Sequence, residues 1–396
     1  MFIERKWGKR RMSRLKELLG DRLCIVFALD HYNPLGQIRS LGEAGVNPIF
    51  IAVNHRFDLG AKSKYVSKLH KVNSVEEGYD LLLHEYGHFS GEKRPLLFTS
   101  DDRTEGYLDE RYDDLKDRFV FFNAGRTGRV TEYMDKKRIL ECAKRHGLNV
   151  LDTIVVERGE IPCEGGDFCY PIITKSISPN SGGWKSDVHI CRSREELEIA
   201  YESIQSPTVL IQQYIEKKNE YCLDGFCACH GEVMFTSIES KYNYLIPGYY
   251  SPYMTVSNFT DEKIKKSLEG MMSEIGFEGI YSIEFLIDQN DNYWFSEINF
   301  RNSTWSYAST VAGMPLPVLW AETMLTGELP KDAYREIPNG FTAMVEPIDY
   351  SKRVKEGKTT AAQWLFDFKR CECPFYYSKD DSEPFFEMLS HWKELG

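Results

Sequence analysis

No stretch of this 396-residue chain is apolar for long enough to span a bilayer. The first twenty residues, MFIERKWGKRRMSRLKELLG, also lack the apolar core of a signal peptide. Membrane insertion and a cleaved leader are therefore not expected, and residues 1–21 are expected to form a solvated basic helix. Positive charge is in short supply elsewhere: 49 Lys and Arg stand against 60 Asp and Glu, a formal net charge of −11. That balance argues against general nucleic-acid binding. The ten cysteines include no CxxC. Cys227-Ala-Cys229 and Cys371-Glu-Cys373 place alternate residues on one strand face, which is not by itself a zinc arrangement, so reduced cytoplasmic thiols are expected. No GxGxxG is present, which removes the dinucleotide fingerprint. Internal repeats and low-complexity tracts are absent as well.

One metal signature is present. Residues 84–88, HEYGH, fit HExxH, in which two histidines one helical turn apart hold zinc and the glutamate activates water. Catalytic zinc also needs a third protein ligand. The long form of the signature would supply it at position 94, where this chain has Arg94. Gly87 between the histidines weakens the helix that has to carry them. His84, Glu85 and His88 are therefore expected to be half-exposed groups near a helix C-terminus, in the passage from a helix to the short strand Leu96 to Phe98.

What the chain does have is alternation. Apolar runs LCIVFA (23–28), PIFIAV (48–53), PLLF and RFVFF (118–122) are separated by helical patterns at 34–45 and 75–88. Strands alternating with helices indicate a parallel sheet. The turn Asp30-His31-Tyr32-Asn33 after the first strand lies where open α/β sheets bind ligands, beyond the carboxyl ends of the strands. After a helix at 131–146, strands are expected at 151–156, 171–175, 208–213, 220–228, 231–238, 279–288 and 293–299, with helices near 193–203 and 261–275. This half is richer in antiparallel pairs, hence α+β. The tail holds a strand (FTAMVEP), a polar connector, an aromatic stretch and a last helix.

The most informative stretch is GIYSIEFLIDQNDNYWFSEINFRNS (279–303). If its hairpin centres on Asn290-Asp291, paired positions sum to 581 and Glu284 faces Glu297. Directly opposed residues hold their Cβ atoms roughly 4.5–5.5 Å apart, and like charges there are destabilising. A sheet tolerates the pairing more readily with a cation between the carboxylates. Two carboxylates and the Asn299 amide oxygen are hard donors of the kind Mg²⁺ takes. A second stretch, CYPIITKSISPNSGGWKSD (169–187), delivers Lys175 at the end of a strand, then a Ser/Gly-rich loop carrying Lys185; such loops cradle phosphate oxygens. A third, VLIQQYIEKKNEYCLDGF (209–226), is a strand, a polar link and another strand; taken alone it is a plain hairpin, and a nucleotide base could meet backbone groups at its link while Glu220 takes ribose hydroxyls.

Taken in order, these stretches resemble the ATP-grasp superfamily of the carboxylate–amine ligase type, over about residues 22–345. The matching pattern is Lys136 near a helix start in MDKKRILECAKRHGL, "yPxixK" from Tyr170 to Lys175, the loop Ser181 to Lys185, "QxYIxxxxE" from Gln212 to Glu220, and "EFxxD…yxxEiNxR" from Glu284 to Arg301. The resemblance implies a parallel α/β pre-grasp domain over 22–125, then an ATP-grasp fold of two α+β subdomains over 126–345 with its lid at about 150–215. A C-terminal extension would cover 346–396.

By the same resemblance Lys136 and Lys175 contact ATP phosphates, while Gln212, Gln213, Ile215 and Glu220 hold the nucleoside. Glu284, Glu297 and Asn299 bind Mg²⁺, and Arg301 faces the carboxylate or acyl phosphate. Lys185 contacts the transferred phosphoryl group, although SGGWK departs from the family's run of glycines. Asp30, His31 or Arg39 help to bind substrate. The implied reaction joins a small-molecule carboxylate to an amine with release of ADP and phosphate; a homodimer is compatible with it. The alternatives are an ATP-grasp carboxylase-type enzyme and a nucleotide-binding regulatory protein without turnover.

Overall fold

A computed structural model describes residues 8–54, 56–162, 169–177, 184–247 and 250–395. Its first sheet is parallel, with strands β1 (Cys24–Leu29), β2 (Ile49–Val53), β3 (Lys68–Val72), β4 (Leu96–Phe98) and β5 (Val120–Phe121) in the order β3-β2-β1-β4-β5. The strand β1 is buried on both faces, so its alternate residues serve two cores. Ile25 and Phe27 enter one, with Leu82 and Leu108 from the covering helices. Val26 and Ala28 enter the other, with Leu35 and Ile38. Continuous apolar runs of this kind are what a two-sided parallel sheet requires. Chain order reverses between β1 and β4, and the loops that follow these two strands diverge there, leaving a crevice. The strand β3 is mostly exposed and carries the polar run KLHKV; an edge strand buries too little to show an apolar period, which is why sequence periodicity passes over it.

The second layer is antiparallel: β6 (Thr153–Glu157), β7 (Ile172–Ser176), β8 (Ile190–Cys191) and β9 (Thr208–Gln213), ordered β6-β9-β7-β8. The third has seven strands: β10 (Lys217–Ala228), β11 (Val233–Tyr242), β12 (Tyr253–Ser257), β13 (Gly279–Asp288), β14 (Tyr293–Asn299), β15 (Thr342–Met344) and β16 (Cys373–Pro374). Their order is β14-β13-β10-β11-β12-β15-β16. The larger core joins this sheet to the first one, through helix Leu316–Thr326, whose buried residues are apolar apart from Glu322 and Thr323. The helix expected over 131–146 is two helices, Arg129–Met134 and Lys136–Arg145. Asp135 divides them: its backbone is extended and its carboxylate accepts the Arg138 amide, an N-cap that starts a new helix at Lys136. Among the described residues no helix is long and apolar enough to cross a membrane.

Residues beyond 345 are not an appendage. The strand β16 pairs in parallel with β15, and the buried Glu346 carboxylate accepts the amides of Phe375, Tyr376 and Tyr377. Arg39 corrects a sequence expectation here. Its guanidinium is fully buried. It pairs with Asp381 at 2.9 Å and donates to the carbonyls of Phe375 (2.7 Å), Tyr376 (2.9 Å) and Asp381 (2.9 Å). Every donor it uses goes to the C-terminal segment, so it does not meet substrate. Truncating one member of a buried ion pair leaves the other charge uncompensated, at a cost of about 3–5 kcal/mol. Arg39→Ala is therefore expected to lower the urea midpoint by that amount of stability; a loss below about 1 kcal/mol would contradict this role.

Candidate active site

A cavity of about 690 Å³ opens where the three sheets meet. Its anionic wall is the β13–β14 hairpin. Glu284 pairs with Glu297 in register, while Phe285 pairs with Phe295, and a bulge falls between the two pairs. The bulge takes up one residue, so the turn centres on Asn290 rather than on Asn290-Asp291, and yet Glu284 still faces Glu297. Asp288 closes the turn by accepting the amides of Asn290 and Asn292. Beside the pair, the Asn299 amide donates to Glu284 at 3.2 Å, and its carbonyl oxygen accepts from Arg301 at 3.0 Å. Arg301 also grips Asp102, the first residue of the helix after β4, with two bonds, 2.8 and 3.1 Å.

The opposite wall is cationic. Lys175, at the end of β7, donates to the Gln212 side chain at 2.9 Å, and Gln212 in turn donates to Thr153. Lys136, the first residue of its helix, stands 3.5 Å from Glu297. Glu220 is paired with Lys217. Gln213, Tyr214 and Ile215 line the link between β9 and β10. The electrostatics are unbalanced on both sides. Burial, then the charges of Glu297 and Glu220, push the Glu284 carboxyl well above the usual carboxylate range. Burial and the neighbouring Lys136 hold Lys175 down at about 8. A divalent cation resolves the first deficit and a polyphosphate the second. The donor set Glu284, Glu297 and Asn299 consists of oxygens and fits Mg²⁺.

The sign of the Glu284 shift makes a prediction. A carboxyl raised from its ordinary value of 4.5 keeps in the folded state a proton that the unfolded chain has lost. Its contribution to stability is complete below that value and fades as pH rises toward neutrality. A bound cation cancels the loss. The gain in thermal midpoint on adding MgCl₂ is therefore expected to grow from mildly acidic to mildly alkaline buffer, and to lose that pH dependence in Glu284→Gln. Asp30 and Asp224, both raised to about 6 mainly by burial, share the direction but not the dependence on Mg²⁺, so the variant isolates Glu284.

The substrate-side expectations divide. His31 lines the cavity, and burial with the nearby Arg301 holds its imidazole down at about 4, hence neutral. Asp30 does not line it. Its carboxylate turns back into the fold and accepts the Gly60 amide at 2.7 Å, which fixes the loop after β2. Arg39 is committed to the C-terminal segment, as described. Ser181 to Gly183 lie outside the described residues, and of Lys185 only the backbone is described, in the short 3-10 helix Trp184–Asp187. Sequence reasoning missed Asp102 and Lys217, and the aromatic side chains Tyr250 and Trp305 near the Arg301 end. Lys217 was within reach, three residues before Glu220. Nothing local marks the others.

The HExxH residues lie elsewhere. Helix Val75–Tyr86 ends before His88, with Gly87 as its cap. The His84 side chain is 85% exposed and rests against Glu85. Arg94 donates to the carbonyls of Gly91 and Lys116. No zinc site forms there among the described residues.

A parallel α/β layer beside a large antiparallel sheet and a smaller one, with the paired carboxylates of the large sheet facing Lys175 of the smaller, is the ATP-grasp fold, and the chain has it. No family model matches the sequence. N5-carboxyaminoimidazole synthetase from Staphylococcus aureus superposes with a TM-score of 0.64 at 14% identity, covering 85% of this chain and 86% of that one. L-amino acid ligase from Bacillus licheniformis gives 0.60 at 13% identity, with coverage of 81% and 79%. The biotin carboxylase domain of Hydrogenobacter thermophilus 2-oxoglutarate carboxylase, solved with MgADP, ADP and bicarbonate, gives 0.60 at 17%, with coverage of 80% and 73%. In sequence, the small subunit of that carboxylase is 26% identical over 190 residues. The match takes in 44% of this chain and 39% of that subunit, so the chain spans well under half of its length. Likeness at these identities establishes the fold.

Proposed function

We propose that the protein is an ATP- and Mg²⁺-dependent ligase that joins a carboxylate to an amine. The observation that carries this is the charge arrangement in one cavity: Glu284, Glu297 and Asn299 on one wall, Lys136 and Lys175 on the other, and Arg301 at the crevice of the parallel sheet. Mg²⁺, held by Glu284, Glu297 and Asn299, would neutralise charge on the phosphates. Lys175 and Lys136 bind phosphate oxygens. The Gln213 to Ile215 link takes the base, and Glu220 the ribose.

Arg301 orients the acid so that a carboxylate oxygen attacks the γ-phosphorus of ATP. That O–P bond forms as the bond to the β-phosphate oxygen breaks, giving an acyl phosphate and ADP. The amine nitrogen then attacks the acyl carbon, phosphate leaves, and the nitrogen loses its proton. His31, being neutral and beside Arg301, adds no charge that would repel the incoming amine. The four-stranded sheet serves as the lid, and the reaction belongs in the cytoplasm, where the nine described cysteines, all free, stay reduced.

Hydroxylamine tests the reading, because it intercepts an acyl phosphate as a hydroxamate. With ATP, MgCl₂ and a panel of amino and small carboxylic acids, the expected result is a hydroxamate together with ADP. AMP and pyrophosphate as products would overturn the acyl-phosphate step. The likeness to carboxylases favours a second reading, in which bicarbonate is the acid; ADP release that requires bicarbonate would select it. A regulatory binder would give neither product. Nucleotide binding has its own check. A charged hydrogen bond contributes roughly 1.5–3 kcal/mol, so Lys175→Ala is expected to raise the Kd for ATP about ten- to a hundredfold by calorimetry. An unchanged Kd would remove Lys175 from the site.

A further inference from the structure

We infer that Cys142, His146 and Glu274 form a second metal site, specific for a zinc-class cation and separate from the Mg²⁺ carboxylates. Cys142 and His146 stand one turn apart at the C-terminal end of helix Lys136–Arg145. Glu274 comes from the last turn of helix Glu262–Ile275, which packs against it. One ligand atom from each lies within 4.8 Å of the other two. Cys142 Sγ is 3.6 Å from Glu274 Oε1, and His146 Nε2 is 2.8 Å from Glu274 Oε2. Zinc–nitrogen and zinc–sulfur bonds of roughly 2.0–2.3 Å set the ligand atoms of a tetrahedral site about 3.3–3.8 Å apart. The cysteine–glutamate separation already falls in that range, and the histidine–glutamate pair has to open slightly.

Three further observations support a cation here. Two helix C-termini converge on the cluster, and their carbonyl ends attract positive charge. The imidazole lies so close to the neighbouring helix that a Cβ at Gly270 would come within 2.7 Å of its Nδ1; the absence of a side chain there lets the ring sit flat and aims Nε2 at Glu274. Tyr133 donates to Glu274 at 3.3 Å, the kind of outer hydrogen bond that orients a carboxylate ligand. Burial and the Glu274 charge push the free Cys142 thiol up to about 12, while Arg145 and His146 outweigh burial and hold Glu274 at about 2. A bound metal supplies the positive charge that lets the thiol ionise.

Arg145 is the competitor. It bonds to Glu274 from a side chain that is 53% exposed, so solvent can replace the carboxylate as its partner. Sulfur, nitrogen and oxygen donors together favour Zn²⁺ or Co²⁺ over Mg²⁺. The metal would tie together the ends of two helices, one of which begins with Lys136 in the cavity.

The test is titration of the intact protein with CoCl₂ in excess MgCl₂, followed by displacement with ZnCl₂. A thiolate-to-cobalt charge-transfer band saturating near one equivalent per chain is expected, lost in Cys142→Ser and unchanged in His84→Ala/His88→Ala. Should Cys142→Ser fail to fold, His146→Gln, at the helix end, is expected to lose at least tenfold in zinc affinity. Tyr133→Phe, which removes only the orienting bond, should lose about tenfold. Arg145→Ala separates the site from a plain ion-pair cluster, since it should tighten zinc binding. No band in either the native protein or Arg145→Ala, or a band that survives Cys142→Ser, would overturn the site.

Discussion

Glu297→Gln is expected to cut ATP-dependent turnover by on the order of a hundredfold to a thousandfold, the loss seen when one preorganised electrostatic contact to a transition state is removed. The substitution keeps the shape of the side chain and deletes one negative charge. It also relieves the repulsion between Glu284 and Glu297 across β13 and β14, so the thermal midpoint should not fall. The ion pair with Lys136, 3.5 Å long and partly exposed, offsets little of that gain. Lower turnover with undiminished stability is the signature of a functional carboxylate. Circular dichroism, a thermal melt and an ADP-release assay read fold, stability and turnover, and full activity in the variant would end the metal assignment.

Arg301→Ala carries the second large effect. Its proposed partner is the reacting carboxylate, so hydroxamate formation should fall by on the order of a hundredfold to a thousandfold while the Kd for ATP changes little. Arg301→Lys should recover only part of the loss. A lysine cannot reproduce the two-bond grip on Asp102 together with the bond to Asn299. Equal losses in nucleotide affinity and hydroxamate yield would place Arg301 at the phosphates instead.

Much of the site was legible because it is local. Glu284 and Glu297 belong to one hairpin, thirteen residues apart in number, and the alternation of a strand decides which side chains face each other. Lys175 at a strand end and the polar link after Gln213 are short-range features of the same kind. The first sheet was legible for a related reason: a strand buried on both faces reads as an unbroken apolar run, as LCIVFA and PIFIAV do.

The strands that escaped, β3, β8, β12 and β16, are partly exposed or only two residues long and carry no such run. The split at Asp135 escaped too, although an aspartate three residues before the amide it caps is a readable signal.

By itself, then, the sequence determined the order of the main strands and helices, the facing carboxylates and the lysine that opposes them, because periodicity and turn chemistry act over a few residues. The tertiary structure alone decided which distant groups complete or leave the site. Asp102 reaches Arg301 across 199 residues because the parallel sheet reverses its chain order between β1 and β4. Arg39 is drawn away across 342 residues because the C-terminal segment folds back to pair with β15, and a buried guanidinium goes where its carboxylate and carbonyls are. No local pattern encodes either contact; both follow from how the layers pack.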